Sequence, residues 1–359
     1  MFAGIDTHKD TLAVAVVDQL GRPVARAEEP NTRPGIVRIG QLLATHQVSR
    51  VGIEGSGNYG RCVAAYLVLD WDQPAVAVLE VPTLMTSRER GARPGQGKTD
   101  PVDAVAIARI TMREADLPRV RLAVGDAADL RSLLDYREDL VKERSDLVNR
   151  IHAELTGLFP GYHVKIPNLV YKVHLDAAQR LLADDSRVRA ELARRRLARV
   201  LEIDQEAAEL KHRIAGYVTA SGTSLTSIYG IGPIIAGRFL SQVVDIHRYR
   251  DRNAFASANG TAPLAASSGR TQRHRFNPGG DRLLNRCLYT IAITQSRADT
   301  EGRAYYLRKR EAGKTSKEAL RCLKRRLSDV VYSTMRRDAD GVDVASATRA
   351  RPTANRPAA

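Results

Sequence analysis

The first 115 residues alternate between strand-like and helix-like patterns of apolar and polar positions. Two apolar runs, at 1–10 and 11–18, are joined by a tight polar turn and predict a β-hairpin. Further apolar runs predict three more strands, and helical spacing of apolar residues predicts helices among them. The strands are predicted at 22–29, 48–55 and 74–82, and the helices at 34–46, at 59–70 and from residue 100, after a loop at 87–97. A hairpin followed by strand–helix alternation indicates an α/β domain with a mixed sheet.

Residues 126–220 have a different pattern. Apolar residues keep helical spacing over two long stretches, with charges of both signs between them, on either side of a loop that contains Pro160 and Pro167. This pattern predicts two long amphipathic helices that form a coiled-coil-like arm. Such an arm is equally consistent with a spacer within one chain and with a dimerisation element.

The remainder of the chain is helical and rich in small residues, and it ends in a polar stretch typical of a disordered tail. We therefore predict an α/β domain followed by all-α regions. The predicted boundaries are 1–122 for the α/β domain, 123–220 for the arm, 221–336 for a helical C-terminal domain and 337–359 for the tail.

The charge of the chain narrows its function. Fifty-six Lys and Arg residues against 41 Asp and Glu residues give a net charge of +15. This excess favours a polyanionic partner, of which nucleic acid is the commonest. A ribosome-associated or simply basic soluble protein would show the same excess, so charge alone does not decide.

Cysteine usage and hydropathy favour a soluble protein of the cytoplasm. Cys62, Cys287 and Cys322 lie far apart, which argues against a disulfide framework and a zinc site and fits a reducing compartment. The N-terminus shows no secretory leader, and no apolar stretch reaches the roughly 18 residues that a membrane span needs.

Four carboxylates occupy positions that suggest a metal site. Asp6 lies in an apolar strand, Glu54 ends another strand beside glycines, and Asp100 and Asp103 open a helix three residues apart. Each has an ordinary interpretation, since Asp100 could be an N-cap and Asp103 a first-turn carboxylate that faces the helix dipole. Together they would repel one another unless a hard divalent cation such as Mg²⁺ were bound, and such ions can stabilise the oxygens of a reacting phosphodiester.

Two further motifs suggest contacts with nucleic acid. Gly230 and Gly232 form the Gly-hydrophobic-Gly turn of a helix-hairpin-helix, which leaves backbone N–H groups available to a phosphate. A tight turn between helices would use the same glycines for conformation only. A basic helical segment, which includes Lys324, Arg325 and Arg326, is either a solvated face or a nucleic-acid surface.

A pair of serines lies among positive charges. Ser267 and Ser268 precede Gly269, and a serine hydroxyl near guanidinium groups could attack a phosphodiester. Two serines before a glycine are also common in plain loops. The basic residues that follow are Arg270, Arg273, His274 and Arg275.

These motifs, in this order, resemble the DEDD insertion-sequence transposases of the IS-one-ten family. The likeness extends to about residue 334. The segments that carry it are GIDTHKDTLAVAVVD, GIEGSGNYG, KTDPVDAVAIAR, GIGPIIA, NGTAPLAASSG, AITQSR and GRAYYLRKREAGKTSKEALRCLKRRLSDVVY.

The resemblance implies a RuvC-like, ribonuclease-H-like mixed-sheet domain, a coiled-coil arm and a helical transposase domain with a helix-hairpin-helix-like motif. It places the catalytic carboxylates at Asp6, Glu54, Asp100 and Asp103, and the nucleophile at Ser268, with Ser267 in reserve. It also implies Mg²⁺, a phosphoserine intermediate, donor and target DNA, and a structured guide RNA of the bridge type. The active site would combine two protomers of a dimer that assembles to a tetramer in the bacterial cytoplasm.

Three functions therefore remain open. The first is a site-specific DNA recombinase of a mobile element. The second is a metal-dependent junction nuclease that needs no serine. The third is a non-catalytic nucleic-acid-binding protein, in which the carboxylates only cap helices and the glycine turn only binds phosphates.

Overall fold

The computed structural model describes residues 1–91, 100–265, 274–275 and 280–349. The chain divides into two units, residues 1–122 and 123–359. The elements of the first unit are β1 (Phe2–Thr7), β2 (Thr11–Val17), β3 (Pro23–Pro30), α1 (Arg33–Thr45), β4 (Arg50–Ile53), α2 (Arg61–Ala65), β5 (Ala77–Glu80), α3 (Thr83–Gly91) and α4 (Asp100–Arg113). A π-helical turn, Tyr66–Asp70, directly continues α2.

The strands of the first unit form one sheet of order β3-β2-β1-β4-β5. β1 and β2 pair antiparallel, as do β2 and β3, whereas β1 with β4 and β4 with β5 are parallel. An antiparallel meander extended by parallel strands is the mixed sheet that the hairpin and the strand–helix alternation predict. The ribonuclease-H-like fold expectation is confirmed.

The two faces of the sheet carry side chains of different sizes. On β2, Leu12, Val14 and Val16 face the core that contains the buried residues of α1 and α2. The alternate residues Ala13 and Ala15 face α4 and are small. Because side chains alternate across a strand, the small residues bring α4 close to one face of the sheet.

One predicted loop is wrong in part. Residues 87–91 belong to α3, not to a loop, and the rest of the predicted loop lies outside the described residues. The run of Arg and Glu before a Gly suggested a loop, but tertiary contacts support the helix. Thr86 is buried, and Glu89 of α3 forms an ion pair with Arg113 of α4.

The second unit is mainly helical. Its elements are α5 (Asp126–Leu158), α6 (Lys172–Leu182), α7 (Val188–Ala220), α8 (Pro233–Val243), α9 (Arg252–Ala258), β6 (Leu264–Ala265), β7 (His274–Arg275), α10 (Arg282–Arg297), α11 (Glu301–Glu311) and α12 (Ser316–Arg349). Helix α12 therefore extends beyond residue 337, where the tail was predicted to begin. Asp338 explains part of this extension, since its carboxylate accepts hydrogen bonds from Thr223 and from the backbone of Ser224.

The predicted arm consists of α5 and α7, which are 33 residues long each and pack against one another. Arg144 pairs with Asp204 at 2.5 Å and Glu143 with Arg199 at 2.8 Å, while Glu154 pairs further along with Arg196 at 3.4 Å. The Tyr136 hydroxyl near the start of α5 donates to Glu206, whereas Glu154 near its end pairs with Arg196, so the two helices run antiparallel. Across the described ranges, no helix is both long enough and apolar enough to cross a membrane.

Candidate active site

Strand alternation brings Asp6 to the face of the sheet that α4 covers. Asp6 lies two residues after Gly4 on β1 and pairs with Ala13 of β2, whose side chain also faces α4. Only 7% of Asp6 is exposed. The intervening residue, Ile5, belongs to the core on the opposite face. The carboxylate of Asp6 is therefore directed toward the helix that carries Asp103.

Two glycines allow α4 to lie directly on the sheet. A Cβ atom at Gly4 would come within 2.3 Å of the carbonyl oxygen of Ala104 and of the nitrogen of Ala108. A Cβ atom at Gly52, on β4, would come within 1.9 Å of the Thr111 hydroxyl oxygen. Any larger residue at these positions would push the helix away, so Gly4 and Gly52 set the height of α4 above β1 and β4.

This packing places Asp103 beside Asp6. Asp103 is only 6% exposed. A first-turn carboxylate that merely faced the helix dipole would be expected on the surface. The charge of Asp103 is close enough to raise the pKa of Asp6.

Glu54 follows β4 and is attached through its backbone to the end of β1. Its N–H donates to the carbonyl of Ile5 at 3.1 Å, and its carbonyl accepts from the Thr7 hydroxyl at 2.8 Å. The next residue, Gly55, has φ of +76°, a conformation that favours glycine. Glu54 therefore lies at the sheet edge where β1 ends, next to a sharp turn.

The electrostatics of Asp6 reflect this arrangement. Burial raises the pKa of Asp6 above its usual value, His8 opposes the rise, and the charges of Asp103 and Glu54 add to it. His8 Nε2 lies 3.2 Å from Asp6 Oδ2. Three of the four predicted carboxylates thus share one electrostatic neighbourhood, while the side chain of Asp100 lies outside the described part of the structure.

The donor set suits a hard cation such as Mg²⁺, because Asp6, Glu54 and Asp103 offer carboxylate oxygens whose negative charges oppose one another. Among the described residues, however, no three His, Cys, Asp or Glu side chains are gathered closely enough to hold a metal ion. The carboxylate donors are of the type that Mg²⁺ prefers, whereas the described residues alone do not form a complete metal site.

Glu80 is a further carboxylate at this edge that sequence reasoning missed. It is the last residue of β5, and its neighbour across the sheet is Ile53, the residue before Glu54. The signal was available in the sequence, since Glu80 follows an apolar strand as Glu54 does. The carboxyl ends of parallel strands meet at one edge of a sheet, which is where ligands of α/β proteins bind.

The predicted serines, Ser267 and Ser268, lie outside the described residues, as do Arg270 and Arg273. His274 and Arg275 are described in their backbone only, as β7, which pairs with β6. The location of these residues relative to the carboxylates therefore stays a prediction.

The serines lie in the segment 261–279, called the serine segment below, and the residues that flank this segment on its two sides are in contact. The N–H of Asp281 donates to the carbonyl of Ala258 at 2.7 Å. A Cβ atom at Gly280 would lie 2.4 Å from the Cα of Gly260, so the two backbones touch. The segment therefore begins and ends at the junction of α9 and α10.

A buried polar network holds this junction. Asn259 is fully buried, donates to the Ser328 hydroxyl at 2.8 Å and accepts from the Thr261 hydroxyl at 2.6 Å. Asn285 donates to the carbonyl of Asn259 at 2.8 Å and accepts from Lys324 Nζ at 2.6 Å. Such satisfied networks rigidify the backbone they connect, so the base of the serine segment is fixed to α10 and α12.

Lys324 therefore does not lie on the nucleic-acid surface that the sequence predicts, and it is only 8% exposed. Its position explains the error, because Leu323 and Leu327 on the same helix are core residues and draw their neighbour inward. Burial lowers the pKa of Lys324. Arg325 is half-buried and pairs with Asp329, whereas Arg326 is exposed as predicted.

The glycine turn precedes α8. Gly230 has φ of +88° and lies against Thr294 of α10, and Gly232 is the N-cap of α8, where an added Cβ would meet open space. The preceding element is a three-residue 3₁₀ helix, Leu225–Ser227, so the first arm of the predicted hairpin is short. Gln295 Nε2 donates to the carbonyl of Tyr229 at 2.9 Å and fixes the turn to α10.

Comparison with known proteins relates most of the chain to transposases of insertion elements. Residues 3–160 match a transposase family described as DEDD transposase IS110, and residues 222–307 match a family described as transposase IS116/IS110/IS902. A 44.8 kDa protein of insertion element IS116 from Streptomyces clavuligerus is 25% identical and covers 94% of each chain. A 43.6 kDa protein of insertion element IS110 from Streptomyces coelicolor is 26% identical, also over 94% of each chain.

A solved structure of RuvC from Thermus thermophilus is similar at 17% identity and a TM-score of 0.26, covering 33% of this chain and 98% of that one. The fold assignment depends on the sheet order described above and not on this likeness. Two family matches in the expected order and relatives aligned along nearly the whole length agree with the motifs and with the sheet. The chain belongs to the IS110 family of DEDD insertion-element transposases.

Proposed function

We propose that this transposase cuts and rejoins DNA strands at a magnesium site formed by Asp6, Glu54, Asp100 and Asp103, with Ser268 as the nucleophile. The observation that carries the proposal is the buried pair of Asp6 and Asp103. These two carboxylates come from a strand and from a helix that packs on it through Gly4, and each is less than a tenth exposed. Like charges are costly to bury together without a cation between them.

The carboxylates would bind the ion and fix its position. When bound, Mg²⁺ would neutralise charge on the phosphodiester that reacts. Asp6 and Asp103 are held by the sheet and by α4, and Glu54 by its two backbone hydrogen bonds to β1. Site residues held by regular elements are positioned more precisely than residues on loops.

Ser268 would form the covalent intermediate. Its oxygen would bond to phosphorus as the bond from phosphorus to a sugar oxygen breaks, and the freed sugar hydroxyl of another strand would later reverse the exchange. Ser267 is the alternative nucleophile. The family resemblance supports this role, and the buried network at the base of the serine segment is consistent with a segment that must be held in place.

The partners follow from the same proposal. Donor and target DNA are the substrates, and a structured guide RNA of the bridge type pairs with both. The net charge of +15 supports contacts with nucleic acid. The active site would be composite, with carboxylates and serine from different protomers of a dimer that assembles to a tetramer in the bacterial cytoplasm, and the arm of α5 and α7 would connect them.

A junction nuclease is the second candidate, because the described geometry concerns the carboxylates and a metal-activated water would need no serine. Both candidates require the metal site. A covalent protein–DNA adduct separates them, since only the serine reaction forms one.

Metal-dependent cleavage tests the shared claim. Asp103→Asn should reduce Mg²⁺-dependent cleavage of DNA that carries the element junction, with the flanking RNA supplied, by at least about a hundredfold, because it removes a buried charge that would hold the ion. Asp116→Asn is the matched control, since Asp116 is an exposed carboxylate of the same unit. Equal cleavage by Asp103→Asn and wild type, or cleavage that persists in EDTA, would contradict the proposal.

A further inference from the structure

Glu80 lies at the same edge of the sheet as Glu54. β4 and β5 are parallel, and Glu80 is in register with Ile53, so the two glutamates follow one another across the ends of adjacent strands. The backbone of Glu80 is itself fixed, because its N–H donates to the carbonyl of Pro118 at 2.8 Å. Glu80 is thus a carboxylate on a rigid support, one strand further from β1 than Glu54.

The carboxylate of Glu80 binds the residues that directly follow Glu54. The Ser56 hydroxyl donates to Glu80 Oε2, and the backbone N–H groups of Gly55 and Ser56 are further donors to the same carboxylate. Ser56 itself is only 9% exposed. Glu80 therefore satisfies several donors of the turn, and an ionised carboxylate is the side chain best able to accept several hydrogen bonds at once.

The turn from 54 to 60 has further contacts on the side of β1, where Asn31 Nδ2 donates to the carbonyl of Tyr59 at 3.0 Å, and within its own backbone. The Thr7 hydroxyl donates to the carbonyl of Glu54 at 2.8 Å, while Asn58 and Gly60 donate their N–H groups to the carbonyl of Gly55 at 3.0 and 3.1 Å. Glu80 is on the opposite side of the turn from β1. Glu54 is thus held between two supports, and the removal of Glu80 would leave the turn attached on one side.

The position of Glu80 is electrostatically unfavourable for an ionised carboxylate. Burial raises the pKa of Glu80, the hydrogen bonds from Ser56 and Gly55 oppose the rise, and the charge of Glu54 adds to it. A carboxylate that is partly desolvated beside a second carboxylate is costly for the fold. Function is the usual reason for such a cost.

We propose that Glu80 is a positioning residue that fixes the turn after Glu54 and thereby orients Glu54 toward the metal. This proposal rests on the proposed function, since it assumes that Glu54 binds the ion. Glu80 is not assigned as a ligand, because its carboxylate is already engaged by Ser56 and the turn. Partners of this kind, which hold a ligand without touching the metal, commonly change metal affinity by about 10- to 100-fold when removed.

Mn²⁺ binding to the full-length protein tests the proposal without a measurement of activity. Free Mn²⁺ is followed by electron paramagnetic resonance during a titration, and a thermal melt in EDTA checks that each variant is folded. Glu80→Ala should weaken Mn²⁺ binding about tenfold, and Glu80→Gln, which keeps one acceptor for Ser56, should weaken it less. Glu89→Ala is the control, because Glu89 is a part-buried carboxylate of the same unit that pairs with Arg113 and does not contact the turn.

A double-variant comparison separates positioning from direct ligation. If Glu80 acts through the turn, Ser56→Ala should weaken Mn²⁺ binding by itself and add little to Glu80→Ala, since both remove the same hydrogen bond. Independent, fully additive effects would overturn the positioning role. Mn²⁺ affinity unchanged in folded Glu80→Ala would overturn it as well, and if Glu80→Ala does not fold, Glu80→Gln and Ser56→Ala provide the same decision.

The result also distinguishes this inference from the proposed function. Wild-type protein that binds no Mn²⁺, or Asp103→Asn that binds it as tightly as wild type, would contradict the metal site and the role of Glu80 with it. Wild-type binding that Asp103→Asn loses and Glu80→Ala keeps would contradict only the role of Glu80.

Discussion

At the scale of single residues, Asp6 is the clearest case of a side chain that lowers the stability of the fold and is needed for the proposed activity. It is buried on a strand, and burial together with two neighbouring carboxylates raises its pKa. A neutral residue of the same shape would suit the sheet better. Proteins commonly keep such residues at sites where activity requires them, at the expense of stability.

Asp6→Asn should therefore stabilise the protein at neutral pH in EDTA, by a few degrees in Tm. The pKa of Asp6 in the folded protein lies above 3.8, the ordinary value that applies to the unfolded chain. At any pH between the two pKa values, the folded state therefore binds more protons than the unfolded state. The free energy of unfolding therefore falls as pH rises through this window. Above the window Asp6 is ionised in both states, and the whole cost of burying its charge destabilises the fold. The advantage of Asp6→Asn should accordingly shrink as pH is lowered through the window.

Melting curves across pH, with Asp116→Asn as the exposed control, test this expectation. An Asp6→Asn protein that melts at or below the temperature of wild type at pH 7 would contradict it.

The sequence located single residues unequally well. Asp6 and Glu54 were predicted because a carboxylate in or at the end of an apolar strand is costly to bury unpaired, and Asp103 because it lies on the same helix face as Asp100. Glu80 was missed although it occupies an equivalent place, because no motif included it. Lys324 was assigned to the surface from a run of basic residues, whereas its helical register beside Leu323 and Leu327 indicates a position near the core.

At the scale of elements, the contact of α4 with the sheet determines the site. The helix carries Asp103, and its height above β1 depends on Gly4. The sequence predicted the strand and the helix from their periodicity, but periodicity does not give the distance between elements. The distance between α4 and β1 is seen in the structure, where backbone atoms of Ala104 and Ala108 lie directly over Gly4.

Gly4→Ala should destabilise the protein by about 1–3 kcal/mol or more, because the added methyl group would overlap backbone atoms of α4 that cannot rotate away. The matched control is Gly57→Ala, since Gly57 is exposed and an added Cβ would meet nothing within 4 Å. It should change stability by less than about 0.5 kcal/mol. Chemical denaturation measures both, and equal stabilities of the two variants would show that α4 does not rest on Gly4 as described.

At the scale of the whole molecule, net charge predicts how the protein meets nucleic acid. The chain carries +15, and exposed arginines such as Arg303, Arg308 and Arg326 contribute to this charge in the second unit. Affinity built on phosphate contacts falls steeply with salt. The net charge follows from composition alone. The structure is needed to distinguish basic side chains that are exposed and can contact phosphates, such as Arg326, from buried ones that cannot, such as Lys324.

Arg326→Gln should weaken binding to duplex DNA and reduce the slope of log affinity against log salt by about 1. Lys324→Gln is the neighbouring control, because Lys324 is buried, and it should leave the slope unchanged. Filter binding at several salt concentrations provides the slopes. The surface assignment fails if the two variants change the slope equally.

We propose that this transposase breaks DNA through a serine, with help from the carboxylate site. The most direct measurement is to incubate the full-length protein with junction DNA, flanking RNA and Mg²⁺, digest the denatured product, and locate any nucleotide attached to a peptide by fragment mass spectrometry. We expect a nucleotide on Ser268 in the wild-type protein and none in Ser268→Ala or in Asp103→Asn. DNA that is cleaved in a Mg²⁺-dependent manner without any nucleotide on Ser267 or Ser268 would contradict it.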